Sequence, residues 1–127
     1  MTSTRHTGDI LEELLLGYIK PFDPLARKTS NSGATRGDGD IHTSFFAIDC
    51  KHYPKAKNFN VSFVDLEKSR KQADRAHLPF GAVATMITNN QIAVTIPLAH
   101  FIELCETLAQ YERDKNTTSQ LPSEIPQ

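Results

Sequence analysis

Residues 37–51 read Gly-Asp-Gly-Asp-Ile-His-Thr-Ser-Phe-Phe-Ala-Ile-Asp-Cys-Lys. One acid, Asp40, is followed nine positions on by Asp49-Cys50-Lys51. The second acid lies in an apolar run, residues 45–50, that predicts a buried strand. Side chains alternate along a strand, so Asp49 and Lys51 share one face and Cys50 takes the other. Two carboxylates and an ammonium then meet at one edge of a sheet. Stability alone would not favour that arrangement, because charge is costly to take out of water. Metal-assisted phosphodiester chemistry requires it. Carboxylates hold Mg²⁺, the metal polarises a phosphate and acidifies a water, and the lysine places or deprotonates that water.

The elements that must position these groups follow from periodicity. Residues 8–19 predict a first helix, with Thr7 as N-cap and Asp9, Glu12 and Glu13 near its positive end. Leu11, Leu14, Leu15 and Tyr18 form its apolar stripe. Residues 21–39 predict a loop. Its small, polar, basic part, with Ser32 and Arg36, either presents hydroxyls, backbone N–H groups and a guanidinium to phosphates or only connects. Residues 39–52 predict a hairpin that turns at Thr43-Ser44. Tyr53, Lys55 and Lys57 fall in the next loop.

A helix over 65–76 would pack Leu66, Ser69, Ala73 and Ala76 inward. Lys68, Gln72 and Arg75 would lie on another face. Residues 82–96 predict a hairpin turning at Asn89-Asn90, and 99–111 a last helix with Phe101, Leu104, Cys105 and Leu108 buried. Residues 112–127 lack periodicity and predict a disordered tail. The order αββαββα implies one domain, residues 1–111, of the α/β (α+β) class: a single mixed central sheet flanked by helices. The link from the Asp49 strand to the next has the length of a parallel crossover.

Bulk properties narrow the function. The chain has 127 residues, 39% hydrophobic and 23% charged, as in soluble globular proteins. No apolar run is long enough to span a membrane and no signal core follows Arg5, so a cytoplasmic protein is expected. Cys50 and Cys105, with no CxxC pair, read as buried thiols in a reducing compartment. The net charge is −1, but residues 20–77 carry eleven Lys/Arg against seven Asp/Glu. A basic middle between acidic ends suits contact with a nucleic acid. Alternation places Cys50 and His52 opposite Asp49, so a transition-metal site shared with the carboxylates is not expected.

These motifs resemble the PD-(D/E)xK nuclease superfamily, and within it the archaeal and phage type of Holliday-junction resolvase, over residues 8–110. The matching residues are Gly8 with Glu12, Ser32-Gly33, Gly39-Asp40-Ile41, Ile48-Asp49-Cys50-Lys51, Gln72-Ala73, Pro79 and Ile96-Pro97-Leu98. Asp49 stands where Glu is commoner. The resemblance implies a restriction-endonuclease-like core and a Mg²⁺-dependent DNA endonuclease, with Mn²⁺ able to substitute. It implies that Asp40, Asp49 and Glu12 ligate the metal, with Glu13 and Asp38 as rivals for two of those places, and that Lys51 acts on the attacking water. Ser32, Arg36, Lys55, Lys57, Lys68, Gln72 and Arg75 would hold DNA. The implied substrate is a four-way junction and the implied assembly a homodimer. The same core acting on linear, nicked or single-stranded DNA, or serving only as a DNA-binding module, are the competing readings.

Overall fold

The computed structural model describes residues 4–29 and 40–120, with side chains for residues 10–29 and 40–117. The chain divides into two compact units, Met1–Pro97 and Leu98–Gln127.

The first unit is a mixed five-stranded sheet in the order β1-β2-β3-β4-β5, together with two helices. Helix α1 spans Thr4–Ile19 and β1 spans Arg27–Lys28. Strand β2 is Ile41–His42, β3 is Phe46–His52, and α2 is Phe63–Arg75. Strands β4 and β5 are Phe80–Ile87 and Gln91–Thr95. Strands β3 and β4 pair in parallel through α2, as the crossover length predicts, and the other pairs are antiparallel.

Strand β1 was expected to be loop. Two charged residues carry no strand signal of their own, and Arg27 and Lys28 are extended because they pair with His42 and Ile41 at the sheet edge. The loop after α1 is fixed to the β2–β3 turn by Asp23, which accepts the Ser44 N–H at 2.9 Å and the Ser44 hydroxyl at 2.8 Å. Thr43 Oγ1 accepts the N–H groups of Phe45 and Phe46 and closes that turn. The β4–β5 turn uses Asn89 and Asn90 at φ 60° and 57°. Asparagine tolerates that left-handed geometry better than most residues.

Leu11, Leu15 and Leu16 of α1 pack with Ile41, Ile48, Cys50, Ala82, Ala84 and Met86 on one face of the sheet. Strand alternation sends Asp49, Lys51, Val83 and Thr85 to the other. Ser62 caps α2 by accepting the Asp65 N–H at 3.0 Å. Ser69, Gln72 and Ala73 form the buried strip of α2. Leu66 and Ala76, expected there, are only half-buried. Gly81 permits the close approach of α2, since a Cβ at that position would lie 2.2 Å from the Ser69 carbonyl oxygen.

The second unit is α3, Leu98–Gln120. The stripe expected to be buried is mostly open: Phe101, Cys105 and Leu108 are exposed and Leu104 is half-buried. The helix also continues past Tyr111, where a disordered tail was expected. Side-chain pairs three and four apart support the extension: Gln110 donates to Asp114 at 2.8 Å, and Lys115 lies 3.9 Å from Glu112 and over the Tyr111 ring. Among the described residues, no helix is long and apolar enough to cross a membrane.

Candidate metal and phosphate site

The site is built where β2 enters the sheet. The Asp40 N–H donates to the Ile48 carbonyl at 2.9 Å, although Ile41 is the residue that faces Ile48 in the ladder. Two residues of the entering strand thus oppose one of β3, as at a β-bulge, which re-aims the side chain. The Asp40 carboxylate swings up β3 and accepts the Cys50 N–H through Oδ2 at 2.8 Å. It thereby takes the place of a further backbone carbonyl in the ladder.

Asp49 is only 5% exposed. It lies close enough for its charge to help raise the Asp40 pKa. Lys51 Nζ lies 3.3 Å from Asp49 Oδ2. The contact is an ion pair without hydrogen-bond alignment, and Asp49 Oδ2 accepts no hydrogen bond. A buried carboxylate oxygen without a hydrogen-bond donor is costly, and the Lys51 ammonium beside it offsets part of that cost.

On the α1 side, ligand atoms of Glu12, Asp40 and Cys50 all lie within 4.8 Å of one another. Helical phase separates Glu12 from Glu13. Glu12 points toward Asp40 and is mostly shielded, while Glu13 is exposed and pairs with Lys28 at 2.8 Å. The expectation that Cys50 stands apart from the carboxylates is corrected. Cys50 does face away from Asp49, but Asp40 sits at the strand edge and reaches both faces.

Charge follows from these contacts. Burial raises the Asp40 pKa above the usual carboxylate range; the Cys50 N–H opposes that rise and Asp49 adds to it. Burial, with Asp40, Glu12 and Asp49 nearby, pushes the Cys50 thiol well up, so it is neutral. Burial alone would lower the Lys51 pKa, but Asp49, Asp65 and Tyr53 outweigh it and the net shift is upward. Lys51 is therefore an ammonium, unsuited to act as a base in this state.

The remaining candidates separate. Lys68, Arg75, Lys55 and Lys57 are on the surface. Gln72 is not on an open DNA-facing stripe: it is buried against the sheet, and its Oε1 has no partner. Ser32, Arg36 and Asp38 lie outside the described residues. The influence of Tyr53 and Asp65 on Lys51 was not anticipated, because it arises from folding the β3–α2 loop back beside the lysine. No family model, curated protein or solved structure matches the chain.

Proposed function

We propose that the chain is a metal-dependent DNA endonuclease, and more specifically a resolvase of four-way junctions. One observation carries the reading: the half-buried Asp40 and the buried Asp49 stand together at the sheet edge, with the Lys51 ammonium 3.3 Å from Asp49 Oδ2. The donor set fits Mg²⁺ or Mn²⁺. Asp40 offers a hard oxygen together with Asp49 on one face of the sheet and with Glu12 on the other, and the neutral Cys50 thiol is a poor ligand for such ions. A bound Mg²⁺ would acidify a water and polarise the phosphate. Asp49 holds the lysine in place. The lysine then orients the water and neutralises charge growing on the phosphate oxygens. Lys68 and Arg75 supply further cations for the DNA backbone.

A symmetric four-way cut needs two active sites, so this reading includes a homodimer. The open stripe of α3 supports one. Leu98, Phe101, Ile102, Leu108 and Tyr111 are each about half to three-quarters exposed. Side chains of that size amount to about 600 Å² per copy, approaching the roughly 800 Å² per partner of a standard stable interface. The deciding assay is competition between a four-way junction and linear duplex of the same sequence, in Ca²⁺. At least tenfold preference for the junction is expected. Equal affinity would leave a nuclease of linear or nicked DNA as the better reading.

A further inference from the structure

Beyond the carboxylate site lies a second, chemically different cavity. It occupies about 560 Å³ and is lined by Tyr53, Lys57, Asn58, Asn60, Ser62 and Asp65. Its volume falls within the range of small-ligand pockets. Backbone hydrogen bonds hold the loop that forms it. The Tyr53 N–H donates to the Met86 carbonyl at 2.8 Å, Ala56 to Tyr53 at 3.0 Å, and Thr88 to Ala56 at 3.0 Å. The cavity adjoins the first site, because Tyr53, one of its walls, directly follows β3 two residues beyond Lys51.

The lining indicates the kind of occupant. Lys57 and Asp65 balance, so the cavity has no net charge with which to trap a phosphate. Two carboxamides offer both donors and acceptors. The Ser62 oxygen is engaged by the Asp65 N–H, which leaves its own hydroxyl hydrogen to donate. Tyr53 is 46% exposed and presents an aromatic ring. Hydrogen-bonding groups of both kinds beside an open ring match the edge and face of a nucleobase.

We infer that this cavity receives a single unpaired nucleobase next to the phosphate held at the Asp40–Asp49–Lys51 site. The inference rests on the nuclease reading and extends it to substrate shape. A base within intact duplex would have to be unstacked first, at a cost of a few kcal/mol, whereas a base at a junction, bulge or fray is already free. The cavity therefore selects distorted DNA without reading sequence.

The test uses three labelled duplexes in Ca²⁺: fully paired, with one unpaired adenosine, and with an abasic site in place of that adenosine. The wild type should bind the second about tenfold more tightly than the other two. Asn58→Ala, at a surface position, should remove the preference while plasmid nicking in Mg²⁺ persists. With 2-aminopurine at the unpaired position, stacking on Tyr53 should quench fluorescence in the wild type and not in Tyr53→Leu. Equal affinity for the three duplexes alongside normal nicking would overturn the inference and spare the nuclease reading. Absence of both binding and nicking would overturn both.

Discussion

At the scale of residues, the account turns on how Asp40, Asp49 and Lys51 divide their work. Asp49→Asn should reduce cleavage by at least about a hundredfold while DNA binding holds or strengthens, as a gel-shift assay would show. The substitution keeps the shape and removes the charge that holds a metal and repels phosphate. Asp40 gives a pH signature. Its folded-state pKa lies above the unfolded value, so the folded protein retains that proton longer. As pH rises from the unfolded carboxylate range through the raised pKa, the buried charge is imposed and stability is lost. Asp40→Asn still accepts the Cys50 N–H but carries no charge. It should flatten this slope and raise the metal-free melting temperature at pH 7 by roughly 2–5 °C. Mg²⁺ should stabilise the wild type and not this variant. A variant that melts lower than wild type at pH 7 would show that the Asp40 charge is compensated in the metal-free protein.

At the scale of elements, the parts that position the site were the most legible. The apolar run of β3, the small residues of α2, and the Asn-Asn turn between β4 and β5 each follow from local chemistry. Strand β1 did not, because Arg27 and Lys28 are extended by their partners and not by their own preference. Gln72 was misplaced because glutamine is usually solvated and nothing local marks it as buried. Glu12 and Asp40 were expected together, but Cys50 was not expected beside them, because alternation assigns faces but does not reveal a side chain at the strand edge that serves both. The end of α3 was missed because it is held by charged and amide pairs, with no apolar period to read. Close packing of α2 on β4 makes a sharp prediction. Gly81→Ala should lower stability in urea by about 3 kcal/mol or more, because the added methyl meets the Ser69 carbonyl oxygen, a backbone atom that cannot move without the helix. A loss under about 1 kcal/mol would mean that α2 yields easily.

At the scale of the whole molecule, the two units differ in the cysteine each carries. Cys105 is exposed and Cys50 is buried. The expectation of two buried thiols therefore holds for one of them. If α3 pairs with its copy, Phe101→Glu should convert a dimer to a monomer in sedimentation while leaving the first unit folded. A dimer that survives this change would place the interface elsewhere. Affinity for DNA should fall steeply with salt, since it draws on lysine and arginine contacts to phosphate. All of this presupposes that the carboxylate and lysine group cuts DNA. The most direct measurement is nicking of supercoiled plasmid across a Mg²⁺ and Mn²⁺ titration, with wild type and Asp49→Asn purified identically. Metal-dependent nicking by the wild type is expected, with none without metal and at least about a hundredfold less by Asp49→Asn at every metal concentration. An inert wild type at saturating Mn²⁺, or equal nicking by both proteins, would contradict it.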